Sequence, residues 1–265
     1  MPLLTVGDHA VNVKDHGAGE PILFVHAYPL NGAMWDYQVA AFADRWRVVT
    51  IDLPGFGLSP PPADPTATRI DHWADLVAGV VHHLDLAPVV LAGSSMGGYV
   101  AFAFVRRHPQ LLRALVLADT RAQSDDSAGW QRRTKTQHRI RAGAALDDLA
   151  GELVPGMLAR DSLERPDLVE YVHALMRASE PDGWVAALEA MKNREDSIST
   201  LREVGVPTLV VVGEQDRLTP QTEAALIQAR VKDSRLVVIP GAGHLPNLEQ
   251  PAAFDEALTD FLAGL

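Results

Sequence analysis

Residues 93–97 read Gly-Ser-Ser-Met-Gly and carry a serine at a spacing that suits nucleophilic chemistry. An apolar run at 89–92 precedes this segment, and a helix-like stretch at 99–106 follows it. The pattern G-x-S-x-G between a strand and a helix is typical of a sharp turn that leaves the middle serine hydroxyl exposed. Small residues are needed two positions either side of the serine, because larger side chains there would collide with neighbouring strands. The pattern therefore predicts Ser95 as a nucleophile.

A serine hydroxyl is a poor nucleophile at neutral pH, so it needs a general base, and the base needs an acid that orients it. Downstream of Ser95, Asp216 follows a strand-like run at 208–212, and His244 follows another at 236–239. Both positions fall at the carboxyl ends of strands, which is the edge where open α/β sheets bind ligands. The order serine, acid, histidine along the chain fits this kind of turn. We therefore expect His244 as the base and Asp216 as the acid.

Two other carboxyl groups are alternatives for the acid. Asp119 ends the preceding strand-like run at 115–118, and Glu214 stands two residues before Asp216. We favour Asp216 because its loop precedes a helix and a strand that lead directly to His244, while Glu214 is too close to the strand end.

The elements around these residues alternate between short apolar runs and amphipathic stretches, which indicates a mostly parallel, doubly wound α/β sheet. Between residues 125 and 200 the alternation disappears, and breaks are expected at Pro155, Pro166 and Pro181. We interpret that segment as several helices that form a lid over the carboxyl edge of the sheet. The predicted organisation is a core at 1–124, a helical lid insertion at 125–200 and the rest of the core at 201–265.

Three separated motifs, the turn at Ser95 and the segments that carry Asp216 and His244, are similar to those of one known family. With them, the chain resembles the α/β-hydrolase-fold enzymes over essentially its whole length apart from the lid. Within that superfamily, residues 25–35 and 93–121 resemble small bacterial carboxylesterases, enol-lactonases and cofactor-free haloperoxidases. The resemblance implies an eight-stranded, twisted sheet flanked by helices, with the lid inserted after the sixth strand. It also implies a catalytic triad of Ser95, Asp216 and His244.

Residues 26–29 read His-Ala-Tyr-Pro and are similar to the family's His-Gly-x-Pro turn. The resemblance implies an oxyanion hole made of the backbone N–H groups of Tyr28 and Met96, with His26 as a supporting residue that braces the turn by hydrogen bonding. Ala27 stands where the family usually has glycine. If that position requires a positive φ, the alanine is strained by roughly 1–2 kcal/mol.

The composition of the chain excludes several kinds of site and argues against several kinds of partner. The chain has 265 residues, a net charge of −11 and no cysteine, which excludes disulfides, a thiol nucleophile and cysteine-ligated metal. The negative charge argues against nucleic acid or an anionic membrane as partner. No metal-binding spacing is found, and we expect no metal and no cofactor. No signal peptide is visible near residue 1, so we expect a soluble, cytoplasmic protein, with a homo-oligomer left open.

One run of basic residues lies in the predicted lid: Arg132, Arg133, Lys135, Arg139 and Arg141. It is either the solvated face of a helix or a device that captures an anionic substrate, and we favour the solvated face.

These observations predict a serine hydrolase of carboxylic esters or lactones that forms an acyl-enzyme on Ser95, with a small-molecule ester or lactone as its substrate. Three alternatives use the same fold. They are a perhydrolase or haloperoxidase-like enzyme, a carbon–carbon bond hydrolase with the same triad, and a ligand receptor without turnover.

Overall fold

The computed structural model of the protein describes residues 3–265. Within these residues nine strands form two sheets. The strands are β1 (Leu4–Val6), β2 (His9–Val11), β3 (Val13–His16), β4 (Pro21–Val25), β5 (Arg47–Ile51), β6 (Val89–Ser94), β7 (Leu112–Ala118), β8 (Thr208–Gly213) and β9 (Ser234–Ile239). Strands β4, β6 and β8 consist mainly of apolar side chains that are buried almost throughout, as expected when helices cover both faces of a parallel sheet.

The main sheet has the order β3-β5-β4-β6-β7-β8-β9, in which β3 pairs antiparallel to β5 and the remaining pairs are parallel. This confirms the predicted α/β class. The expected count of eight strands in this sheet is wrong, because β1 and β2 pair only with each other as a separate hairpin. For the same reason the lid follows the fifth strand of the main sheet along the chain, and not the sixth.

Ten α-helices and four short 3-10 helices surround the sheet in the described residues. The α-helices are α1 (Asp36–Phe42), α2 (Ile70–His83), α3 (Met96–Arg107), α4 (Ser127–Arg141), α5 (Leu146–Met157), α6 (Pro166–Arg177), α7 (Pro181–Lys192), α8 (Gln221–Arg230), α9 (Pro246–Glu249) and α10 (Pro251–Leu262). The 3-10 helices are Gly32–Trp35, Pro109–Leu111, Ser162–Glu164 and Thr200–Arg202. Helix α1 packs against α10 and α2 packs against α3, while α8 packs on β8 and β9.

Four helices, α4 to α7, lie between β7 and β8, where we expected the lid. Helix α4 packs on α7, and α5 packs on α6. Pro166 and Pro181 begin α6 and α7, but Pro155 lies inside α5. A proline at this position cannot donate to the carbonyl of Gly151, and Gly151 is an exposed residue. The division of the chain at 125 and 200 stays a prediction.

Residues 86–105 contain no charged side chain. They nevertheless form a buried strand, a turn and the first part of α3, and not one continuous helix. Across residues 3–265, the helices are all too short or too polar to span a lipid bilayer.

Candidate active site

Ser95 lies at the junction of β6 and α3 with φ of 51° and ψ of −108°, a region of backbone space that a non-glycine residue occupies only when its surroundings impose it. The surroundings are tight. A Cβ on Gly93 would lie 2.3 Å from the carbonyl oxygen of Gly97, and one on Gly97 would lie 2.3 Å from that of Val25. The two glycines therefore permit the close approach that the sharp turn requires, as their spacing in the sequence indicates.

Two hydrogen bonds tie this turn to the neighbouring strand. The Ser95 N–H donates to the carbonyl oxygen of Ala118 at 2.9 Å, and the Thr120 hydroxyl donates to the Ser95 carbonyl at 2.8 Å. The backbone around the serine is thus anchored at both its N–H and its carbonyl.

His244 and Asp216 come together in the loops that follow β9 and β8. The distance between His244 Nδ1 and Asp216 Oδ2 is 2.8 Å, and both side chains are buried. A carboxylate that accepts from Nδ1 fixes the ring orientation and leaves Nε2 as the nitrogen able to take a proton. This is the arrangement that a general base needs.

Asp216 has further partners that hold its carboxylate ionised. Its Oδ2 accepts from the Thr219 hydroxyl at 2.6 Å, and its Oδ1 accepts from the backbone N–H groups of Leu218 and Thr219 at 2.8 and 3.1 Å. Burial opposes ionisation, but His244 and Thr219 outweigh it and lower the pKa of Asp216. Sequence reasoning missed Thr219 because a threonine before a proline is equally typical of a helix start.

The two alternative acids make other hydrogen bonds. Asp119 Oδ1 accepts from the Gly213 N–H at 2.8 Å, while burial, followed by the charge of Asp216, raises the pKa of Asp119 well above its usual range. Glu214 Oε2 accepts from the Gly241 N–H at 2.9 Å. Neither carboxyl group is hydrogen-bonded to the His244 ring within residues 3–265.

Ser95 and His244 line the same cavity of about 380 Å³ between the core and the lid. The described residues contain no hydrogen bond between the serine hydroxyl and the imidazole. Catalytic hydrogen bonds of this kind are often long in the absence of substrate and shorten when it binds. The structure therefore brings both side chains to one cavity without joining them directly.

The turn at 26–29 lies beside this cavity through Tyr28 and Pro29. Ala27 is not among the described residues with positive φ, so the strain expected from replacing glycine by alanine does not arise. The backbone N–H groups of Tyr28 and Met96 donate to no backbone acceptor within residues 3–265. Two free donors of this type, one at a helix start, can stabilise a developing oxyanion.

His26 is fully buried and links two segments of the site. Its Nε2 accepts from the Leu53 N–H at 3.0 Å, and its Nδ1 lies 3.0 Å from the Ala27 carbonyl oxygen. Together these bonds assign the proton to Nδ1. Burial lowers the pKa of His26, against the opposing effects of the Ala27 carbonyl and Asp52. The ring is therefore neutral and braces the turn.

Glu249 is a buried acid of the site that sequence reasoning missed. Its carboxylate accepts from the Gly243 and Leu245 N–H groups at 2.8 and 3.1 Å, on either side of His244. It also accepts from the Ala159 N–H of the lid segment at 2.7 Å. A glutamate before a helix-starting proline gives no sequence signal for this role, because it looks like an ordinary solvated residue.

Asp119, Asp216 and His244 are also the one group of potential metal ligands that lie close enough to share an ion in the described part of the chain. Two of these atoms, His244 Nδ1 and Asp216 Oδ2, are already at hydrogen-bond distance from each other. The donor set therefore fits a shared proton better than a metal ion.

The basic run of the lid divides between two environments. Arg139 pairs with Glu152 on the exposed surface, as a solvated face predicts. Arg133 does not follow that prediction: its guanidinium binds the buried carboxylate of Asp125 and lines the cavity. The side-chain direction depends on how α4 packs against α7, which the pattern of charges does not contain.

The chain is similar to known proteins over most of its length. The family model described as alpha/beta hydrolase fold matches residues 20–251. A pimeloyl-[acyl-carrier protein] methyl ester esterase of Aeromonas hydrophila is 30% identical and aligns over 96% of this chain and 99% of its own. The 3-oxoadipate enol-lactonase 2 of Acinetobacter baylyi is 27% identical, with 96% and 94% aligned. A solved malate-bound thermophilic esterase of Thermogutta terrifontis superposes with a TM-score of 0.94 at 35% identity, over 99% and 96% of the two chains.

Proposed function

The chain belongs to the α/β-hydrolase-fold family, and on that premise we propose that it is a serine hydrolase of carboxylic esters or lactones. The observation that carries the proposal is the buried hydrogen bond between His244 and Asp216, at the wall of a cavity that Ser95 also lines. The esterases and the lactonase among its relatives support the same substrate class.

In the proposed reaction the Ser95 hydroxyl oxygen attacks the carbonyl carbon while His244 Nε2 takes its proton. Asp216 stabilises the imidazolium that forms, because its carboxylate stays ionised beside Nδ1. The negative charge that develops on the carbonyl oxygen is accepted by the N–H groups of Met96 and Tyr28. Removal of one such donor typically costs about 3–4 kcal/mol of transition-state stabilisation.

The second half of the reaction reverses these roles. His244 returns the proton to the leaving alkoxide, and the alcohol departs from an acyl-enzyme on Ser95. A water molecule then gives a proton to His244 and attacks the acyl carbon. The bond between that carbon and the Ser95 oxygen breaks, His244 gives its proton to that oxygen, and the acid is released. Every proton passes through His244, so the protein needs no further acid or base for this chemistry.

The experiment that tests the proposal compares wild type with Ser95→Ala on p-nitrophenyl acetate and a simple lactone. We expect Ser95→Ala to lose nearly all turnover and to keep the thermal unfolding midpoint of the wild type. Turnover of Ser95→Ala close to the wild-type rate would contradict the assignment.

Further assay arms distinguish the alternatives that use the same site. A diketone tests carbon–carbon bond hydrolysis, and acetate with hydrogen peroxide tests perhydrolysis. A receptor without turnover would instead bind the ester and raise the unfolding midpoint while releasing no product. The proposal predicts that the ester or lactone is the best of these substrates by kcat/KM.

A further inference from the structure

The catalytic cavity has a charge opposite to that of the whole protein. The chain carries a net charge of −11. The cavity wall, however, contains three guanidinium groups, from Arg121, Arg132 and Arg133, and a single carboxylate, from Asp125. Such local contrast favours an anion inside the cavity, since a carboxylate is attracted to a wall on which guanidinium groups outnumber carboxylates.

Asp125 does not neutralise this wall, because it is shared among several cations. Its side chain is fully buried and accepts from Arg133 Nε at 2.5 Å, from Arg121 Nη2 at 2.7 Å and from Arg194 Nη1 at 2.8 Å. Burial opposes ionisation of Asp125, but the bonds and charges of Arg133 and Arg194 lower its pKa to about 2. One carboxylate thus binds three guanidinium groups. The charge of Glu223 also acts on Arg121, but the three cations still outnumber the two carboxylates.

Several donors of this wall have no partner in the described part of the chain. Arg121 Nε and the Tyr28 hydroxyl are both buried and make no hydrogen bond there. Burial raises the pKa of Tyr28 far above its usual value, so its hydroxyl keeps a proton to donate. Arg132 is exposed on the same wall and takes part in none of the ion pairs found among residues 3–265. Unpaired buried donors of this kind are expected where a ligand supplies the acceptor.

One of these donors is adjacent in the chain to a residue that contacts the turn carrying the nucleophile. Thr120, which binds the Ser95 carbonyl, is the residue directly before Arg121. The rest of the wall is mostly apolar and includes Leu153, Met157, Leu188, Met191 and Leu218. A ligand in this cavity therefore contacts Ser95, apolar side chains and guanidinium groups.

We propose that the guanidinium groups of Arg121 and Arg133, with Arg132 and the Tyr28 hydroxyl, bind a carboxylate carried by the substrate. The substrates are then short esters or lactones with a free carboxylate, such as hemiesters of dicarboxylic acids. This inference rests on the proposed hydrolase function and adds the substrate class. Guanidinium groups suit this role because their planar donors match carboxylate geometry.

The test compares monomethyl glutarate with dimethyl glutarate, which differ in the free carboxylate. We expect wild type to favour the hemiester by at least about tenfold in kcat/KM, the value of one charge-assisted hydrogen bond. Arg121→Gln should lower that preference by about tenfold, and Arg132→Gln should lower it less. The matched control is Arg141→Gln, an exposed arginine of α4 outside the cavity, which should keep the wild-type preference.

A binding measurement separates recognition from turnover. Calorimetry of glutarate with the Ser95→Ala protein should give a dissociation constant that Arg121→Gln weakens about tenfold and Arg141→Gln leaves unchanged. Because Arg121 also binds Asp125, its unfolding midpoint is measured alongside. If that variant fails to fold, Arg132→Gln against Arg141→Gln decides the question, since Arg132 makes no ion pair within residues 3–265.

The outcomes distinguish this inference from the function on which it rests. Ser95-dependent hydrolysis of both esters with no preference for the hemiester would overturn the carboxylate site and leave the hydrolase intact. An equal effect of Arg132→Gln and Arg141→Gln would also overturn it. No Ser95-dependent hydrolysis of either ester, with no glutarate binding, would overturn both.

Discussion

Two buried carboxyl groups lie within reach of His244, and they are held in different ways. Asp216 binds Nδ1 and is kept ionised by its partners. Asp119 binds the Gly213 N–H instead and has a raised pKa. The proposed mechanism therefore assigns the orienting role to Asp216 alone.

The change Asp216→Asn should lower kcat by about 10⁴-fold, because an amide no longer stabilises the imidazolium and favours the wrong ring tautomer. The matched control is Asp119→Asn, whose side-chain oxygen can still accept from the Gly213 N–H. We expect that control to change kcat by less than about tenfold, as for a buried side chain outside the proton path. Steady-state kinetics on p-nitrophenyl acetate measures both, and a larger loss for Asp119→Asn would reverse the assignment of the acid.

Single residues differ in how far the sequence predicts them. The position of Ser95 is predictable because the turn is local, and Gly93 and Gly97 report its close contacts directly. Thr219 and the inward orientation of Arg133 are not predictable in this way. Thr219 contacts His244, 25 positions away, in addition to the nearby Asp216. Arg133 contacts Met191 of α7, 58 positions away, in addition to Asp125, and such long-range contacts leave no local signal in the sequence.

Between elements, the cluster around Asp125 joins the lid to the core. Asp125 precedes α4, while its partners come from the segment after β7, from α4 itself and from the segment after α7. A single carboxylate thus links three parts of the chain, of which the segment after β7 and α4 also line the cavity.

The change Asp125→Asn should destabilise the protein by about 2–4 kcal/mol at pH 7, since three guanidinium groups lose their shared anion. The folded-state pKa of about 2 lies below the ordinary 3.8. The stabilisation is therefore complete above about pH 4 and is lost as the pH falls through about 2. Urea unfolding of both proteins at several pH values measures the difference, which should shrink towards the acid end.

The neighbouring change Asp126→Asn is the matched control for that experiment. Asp126 is exposed and caps α4 through the Gly129 N–H at 2.7 Å, and asparagine caps a helix about as well. We expect no change beyond about 0.5 kcal/mol. A difference for Asp125→Asn that does not vary with pH would contradict the ion-pair account.

Helices α1 and α10 meet at a carboxyl group whose ionisation is unfavourable. Gln38 donates to Asp255 at 2.8 Å, and burial raises the pKa of Asp255 to about 6 against the effect of that bond. Because the folded-state pKa is raised, the protonated form is favoured in the folded protein. Stability contributed by this group is present below about pH 4 and is lost as the pH rises through about 6.

The change Asp255→Asn should therefore stabilise the protein by about 1–2 kcal/mol at pH 8, after allowance for solvent screening, and by nearly nothing at pH 4. The amide oxygen can still accept from Gln38. Thermal unfolding at the two pH values measures the effect, with Asp260→Asn on the exposed side of α10 as control. Equal stability of wild type and Asp255→Asn at pH 8 would show that burial does not penalise this carboxylate.

Elements with strong local signals are predictable, and their pairing is less so. The apolar runs at β6, β8 and β9 identify these strands, and the order of strands and helices gives the parallel sheet. Whether β1 and β2 join the main sheet is a different matter, because a short, half-buried hairpin can extend that sheet or remain separate from it. Here β1 pairs with β2 in a hairpin.

Across the whole molecule, the parallel sheet brings distant segments to one edge. The turn after β6, the loop after β8 and the loop after β9 meet there, and side chains of α4, α5 and α7 line the cavity with them. The acidic chain encloses a cationic cavity, so charge on the surface and charge at the site have opposite signs. That contrast is invisible in the net charge, which is why the sequence predicts the reaction class better than the substrate.

Covalent labelling of the nucleophile tests most directly whether Ser95 is the activated serine. Wild-type protein treated with a fluorophosphonate and analysed by mass spectrometry should gain one adduct, on the peptide that contains Ser95. Ser95→Ala should gain none, and Asp216→Asn should react far more slowly. An adduct on another residue, or labelling of Ser95→Ala at the wild-type rate, would contradict the assignment of Ser95 as the activated serine.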